Sequence, residues 1–162
     1  MAEFRSKRGT HEYTQTNDAP PASVFPLLCP VREAEWVPGW QYRMIHSQSG
    51  VAEEGCVFST PNEDNTDTIW VVSEYDPAAF RIAFVWVSPG LMAAQIKIAL
   101  ERTAKDTTRA HIRYVYTGLS EAGNQEVARY DEAWFRHKMQ SWEAAINHYL
   151  RTGKLISGPG WE

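Results

Sequence analysis

The chain has 162 residues, 43% hydrophobic and 22% charged, with 16 Lys and Arg against 20 Asp and Glu for a net charge of −4. These totals describe one globular domain over residues 1–162, with its core at about 10–156, and they lack the clustered positive charge that nucleic acid binders need. No apolar run approaches the ~18 residues of a membrane span, and no signal-like segment opens the sequence, so a cytoplasmic protein is expected.

Seven Trp, seven Tyr and six Phe are more aromatic area than a minimal core demands, and aromatic walls are what apolar ligand sites are made of. Cys29 and Cys56 suit a reduced protein in which each acts as a small buried apolar residue. The cluster Arg5, Lys7 and Arg8 reads as solvated surface.

In chain order, residues 10–16 (THEYTQT) alternate and are rich in Thr, which predicts a first strand. Pro20 and Pro21 open a brief helical piece over 22–28, cut by Pro26. A second spans 31–36 and ends before Pro38 and Gly39. Strands follow at 41–47, 56–60, 68–75, 80–87, 91–102 and 108–117, separated by turns rich in Gly, Pro, Asn and Asp. Such close spacing leaves no room for crossover helices, so the sheet is antiparallel. Residues 125–152 read as a single helix with Asn124 as N-cap and Gly153 as stop. Val127, Trp134, Phe135, Met139, Trp142, Ile146, Tyr149 and Leu150 form its apolar stripe; Glu126, Arg129, Glu132, Arg136, Lys138 and Glu143 lie opposite.

Alternation assigns faces within the strands. Trp70, Val72 and Glu74 share a face, as do Phe80, Ile82, Phe84 and Trp86. Met92, Ala94, Ile96, Ile98 and Leu100 form another row, and Ala110, Ile112, Tyr114 and Tyr116 a fourth. These rows are the natural bed for the helix stripe. His111 and Arg113 fall on the outer side, and His137 and His148 lie off the centre of the helix stripe.

One strand, two short helices, six strands and a long last helix, with the wording PPASVFPLL, EWVPGW, SEYDPAAFRIAF and RYVYTGLSEAG, resembles the START-like, or birch-pollen-allergen-like, superfamily over residues 10–156. The resemblance implies an α+β helix-grip fold: a seven-stranded antiparallel curved sheet wrapped around the C-terminal helix, two short helices between strands 1 and 2, and an apolar cavity between sheet and helix. That superfamily includes polyketide cyclases/dehydratases, lipid-transport proteins and relatives of a heat-shock ATPase activator, and shares no catalytic motif. Function therefore has to be argued from the site.

Three readings follow. The leading one is binding of a small hydrophobic or aromatic molecule, lipid- or polyketide-like, against Trp70, Phe84, Trp86, Ile96, Ile98, Tyr114, Tyr116, Trp134 and Trp142. The second is a cyclase- or dehydratase-like enzyme with Glu74 as proton carrier in apolar surroundings, aided by His46, which shares a face with Tyr42 and Met44, or by a wall Tyr. The third is an interaction module like the ATPase activators, requiring an exposed apolar patch. The His are scattered, with no HxH, HExxH or CxxC spacing, no glycine-rich phosphate loop and no GxSxG elbow, so neither a metal nor another cofactor is expected. A convex sheet face that includes Val85 and Val87 leaves room for a homodimer.

Overall fold

A computed structural model describes residues 3–157, and its alternating stretches pair into one antiparallel sheet in the order β1-β7-β6-β5-β4-β3-β2. The strands are β1 (Arg8–Asn17), β2 (Arg43–His46), β3 (Val57–Pro61), β4 (Asp67–Asp76), β5 (Arg81–Ser88), β6 (Met92–Ala104) and β7 (Thr107–Gly118). Between β1 and β2 the chain makes α1 (Pro21–Val24), a 3₁₀ turn (Phe25–Leu28) and α2 (Pro30–Glu33), a collar at one end of the sheet. This is the helix-grip architecture that the element order implied. Among the described residues no helix is long and apolar enough to cross a membrane.

The two longest strands carry the alternation furthest. Along β6, Met92, Ala94, Ile96, Ile98 and Leu100 are buried while Gln95, Lys97 and Glu101 are exposed. On β7, Ala110, Ile112, Tyr114 and Tyr116 are buried against exposed Arg109, His111 and Arg113. Ile98 stands opposite Ile112, Ile96 opposite Tyr114, and Ala94 opposite Tyr116, so the rows merge into one apolar bed.

The C-terminal helix differs from its expected form. It is two helices, α3 (Glu121–Arg129) and α4 (Glu132–Thr152), separated at Tyr130 and Asp131. Ser120 caps α3 by accepting from the Gly123 amide at 3.1 Å, and Asp131 caps α4 by accepting from the Trp134 amide at 2.8 Å. Asp131 thus restarts the helix inside what reads as one periodic stripe. The expected stop holds: Gly153 takes the left-handed conformation (φ 68°), with its amide bonded to the Tyr149 carbonyl. Phe135, Met139, Ala145 and Ile146 of α4 are buried.

Candidate functional site

Packing between sheet, collar and α4 is incomplete. A hollow of about 250 Å³ remains, open on one side. The collar supplies Leu28, Glu33, Val37 and Trp40; the sheet supplies Phe58, Trp70, Phe84, Ile96, Ile98 and Tyr114; α4 supplies Lys138, Met139 and Trp142. A larger depression of about 500 Å³ lies between β1 and the start of α4, but Thr10, Glu12, Thr14, Glu132, Arg136 and Gln140 make its wall polar. The smaller hollow has the convergence of apolar walls and few polar groups that small-molecule sites share.

The collar is held so that Glu33 faces this space. Trp36, wholly buried, donates its indole N–H to the Leu27 carbonyl at 2.8 Å and packs edge-on against Trp142 at 4.8 Å. Trp40 donates its indole N–H to the Pro30 carbonyl at 2.9 Å and packs on Phe58 and Trp70. Arg32 pairs with Glu35, and the Tyr149 hydroxyl of α4 donates to the same Glu35 at 2.6 Å. Trp40 thus serves as both wall and fastening, and Trp36 fastens the collar from behind.

Three polar side chains enter the hollow. The Glu33 carboxyl has no hydrogen-bond or salt-bridge partner among the described residues, and burial holds its pKa well above the usual 4.5. Tyr114 is buried, and its pKa is raised, first by burial and second by the nearby Glu33. Lys138 places its ammonium 5.3 Å from the Tyr114 ring centre and 5.2 Å from that of Trp134, with no carboxylate paired to it among the described residues. Loss of hydration lowers its pKa from 10.5 to about 8. Lys138 nevertheless has an exposed surface. Water touches the side chain at the mouth of the hollow, so reagents can reach it. Dense protein around the rest of it disfavours the charge.

The expected site residues divide cleanly. Trp70, Phe84, Ile96, Ile98, Tyr114 and Trp142 line the hollow. Trp86 and Tyr116 stand behind it, their rings 6.2 Å apart, and the Tyr116 hydroxyl is sealed in without a partner. Trp134 is outside the wall and stacks on Tyr130 at 3.9 Å beneath Lys138.

Glu74 and His46, the expected proton carriers, are both turned away, and the cause is the same. The register between β4 and β5 shifts between Val72 and Glu74, so Val72 opposes Phe84 but Glu74 opposes Ala83. One extra residue, Ser73, reverses the alternation. Tyr75 now faces inward and packs on Phe25, while Glu74 is exposed with its carboxylate 3.9 Å from Arg81. A similar shift between Met44 and His46 sets Met44 against the inward Phe58 and His46 against Val57, leaving His46 exposed.

Glu33 and Lys138 are the polar residues that sequence reasoning missed. By helical periodicity Lys138 falls on the polar side of the helix. The available signal is its spacing, four residues after Trp134 and four before Trp142, at the edge of an aromatic stripe. For Glu33 no local signal exists, since a four-residue helix has no periodicity. Among the described residues no group of three His, Cys, Asp or Glu is arranged to hold a metal ion.

No family model and no curated protein sequence matches the chain. Solved structures do. Ara h 8.0201 superposes with a TM-score of 0.64 at 17% identity, covering 90% of this chain and 99% of its own. The Zhui aromatase/cyclase from Streptomyces sp. R1128 gives 0.67 at 11% identity, covering 93% and 100%. Norcoclaurine synthase from Thalictrum flavum gives 0.66 at 10%, covering 91% and 88%. The chain has the START-like, birch-pollen-allergen-like fold. At these identities the likeness is one of architecture, and the site has to speak for the chemistry.

Proposed function

We propose that the chain binds a small hydrophobic molecule of one or two aromatic rings in the hollow between sheet, collar and α4. The observation that carries this reading is the wall itself: Trp40, Phe58, Trp70, Phe84 and Trp142 surround about 250 Å³ that the protein does not fill. An apolar cavity of about 150 Å³ already accepts benzene, so one ring fits with room for substituents or a second. A diacyl lipid or a four-ring polyketide does not fit this volume. Unfilled space beside large side chains forfeits their dispersion contacts, and a ligand would restore them.

The test uses naphthalene as probe, with tryptophan fluorescence as the readout. Saturable quenching is expected, and its loss in Val37→Phe, which fills the hollow from the collar, with melting temperature held. Absence of saturable quenching in the natural chain rejects the reading.

A second reading, that the bound molecule is also converted, is favoured by one observation: Glu33, Tyr114 and Lys138 enter an apolar space without paired partners. Glu33, whose burial favours the protonated acid, can give a proton to a developing oxyanion. Lys138, with a pKa of about 8, exchanges protons near neutrality. Two proteins of the same fold carry enzyme names, an aromatase/cyclase and a synthase, which supports keeping this reading. In it, Glu33→Gln abolishes turnover and leaves naphthalene quenching unchanged, while Glu74→Gln changes neither.

A further inference from the structure

Lys138 stands where a lysine has little structural reason to be. Its ammonium forms no ion pair among the described residues, although Arg136, two positions earlier, reaches Glu132 at 3.4 Å. It leans instead over Tyr114 and Trp134, on the rim of a space whose other charged-type group is Glu33. Apolar surroundings favour the neutral amine, and they favour the neutral carboxylic acid of Glu33 as well. A neutral amine is a nucleophile, and a neutral carboxyl lining the same hollow is a proton donor. That combination in an apolar hollow suits attack on a carbonyl carbon.

We propose that the Lys138 amine condenses with the carbonyl of a one- or two-ring aromatic aldehyde or ketone seated in the hollow, holding it as an imine. This rests on the reading that the hollow takes an aromatic molecule, and adds the functional group that molecule carries. The Nζ lone pair attacks the carbonyl carbon, the C=O π pair moves to oxygen, and that oxygen takes the Glu33 proton. The Glu33 carboxylate then takes a proton from the cationic nitrogen, giving a neutral carbinolamine. Glu33 next protonates the hydroxyl, which leaves as water while the nitrogen lone pair forms the C=N bond. Loss of the last N–H proton to Glu33 restores its acid form. One oxygen from the carbonyl and two hydrogens from the amine leave as water, and no oxidant or reductant is consumed. Tyr114, with its ring beneath the amine, positions the ammonium and closes one side against water.

The experiment treats the full chain with a small excess of cinnamaldehyde or benzaldehyde and sodium cyanoborohydride, then maps adducts by mass spectrometry. The expected product is a single adduct, the aldehyde mass less one oxygen, on Lys138 in preference to the exposed Lys7, Lys97, Lys105 and Lys154. Its yield should rise with pH about a midpoint near 8 and be suppressed by excess naphthalene. Glu33→Gln should slow it at least tenfold, and Lys138→Arg should abolish it. Labelling spread evenly over the surface lysines, with naphthalene quenching intact, overturns the imine and leaves the binding reading standing. No labelling preference together with no naphthalene quenching overturns both. Saturable binding of benzoate that depends on Lys138, with no trapped aldehyde, also overturns the imine and assigns the lysine to an anion.

Discussion

Where α4 runs along β1, the polar side chains that reach the strand are partnered. Glu143 accepts from the Tyr13 hydroxyl and from the Thr16 amide, both at 2.7 Å. Asn147 donates to the Thr16 carbonyl at 2.8 Å and accepts from the Asp18 amide at 3.1 Å, and Arg151 reaches Asp18 at 3.0 Å. On the side of the same helix that meets the hollow, Lys138 has aromatic rings for company, and across from it Glu33 has no partner. Both sides belong to one rigid rod. The polar groups of α4 that meet the strand are paired, and Gln15 Oε1 on β1 is the buried exception in that seam; the hollow leaves both of its charged-type groups without partners, as sites commonly do.

The largest effect should come from a second tightly packed contact, where α3 docks on the turn between β5 and β6. A Cβ added at Gly123 would lie 1.7 Å from the Leu91 carbonyl oxygen and 2.8 Å from its carbon, both backbone atoms that cannot swing aside. Gly123→Ala should cost about 3 kcal/mol or more, lowering the melting temperature by roughly 6–12 °C. An unchanged melting curve by circular dichroism would show that α3 is not held as described. Asn124→Ala should cost about 2 kcal/mol, because the side chain accepts from the Lys7 amide at 2.8 Å and donates to the Arg5 carbonyl at 2.9 Å.

The two regions also differ in how far the sequence reveals them. The bed under the seam is legible because β6 and β7 run 13 and 12 residues, long enough for period-two burial to declare itself. Six of the nine expected wall residues line the hollow, and three of them, Ile96, Ile98 and Tyr114, come from these two strands. The misplacements arise where one residue breaks a period. Ser73 inverts β4 beyond Val72, so Glu74 exchanges faces with Tyr75, and the irregularity after Met44 leaves both Ile45 and His46 exposed. A bulge is a property of the pair of strands, and a single strand's sequence carries no mark of it. The helix break at Tyr130 and Asp131 was hidden for a related reason: Asp131 is as good an N-cap as a solvated helix residue, and the apolar spacing continues across it.

A middle-sized effect should separate the seam from the hollow by coupling. Glu143→Ala removes a charged acceptor from both the Tyr13 hydroxyl and the Thr16 amide and should cost about 1–2 kcal/mol. Tyr13→Phe in the Glu143→Ala background should then cost less than it does alone, since the shared hydrogen bond is already gone. Strict additivity in chemical denaturation would mean that the contact contributes nothing. By contrast, Glu143→Ala with Glu33→Gln should be additive, because the groups share no partner.

The smallest effect is the most specific to the hollow, and it is one of sign. In the folded chain the Glu33 carboxyl holds its proton more tightly than at the usual 4.5. Below 4.5 the folded and unfolded forms are both protonated and the group costs nothing. As pH rises past 4.5 the unfolded form ionises first, so the natural chain loses stability until the folded carboxyl ionises as well. Glutamine cannot titrate, so Glu33→Gln should gain on the natural chain as pH rises, to no more than about 1 kcal/mol with water at the mouth of the hollow. Lys138 runs the other way. Its folded pKa of about 8 lies below 10.5, so the natural chain is penalised most below about 8 and recovers as pH climbs towards 10.5. Lys138→Met should therefore show its advantage at neutral pH and lose it in alkali. A pH series of urea unfolding on the two variants reads both slopes. Two flat lines would mean that neither group is desolvated, and the contrast between a satisfied seam and an unsatisfied hollow would then lose its electrostatic half.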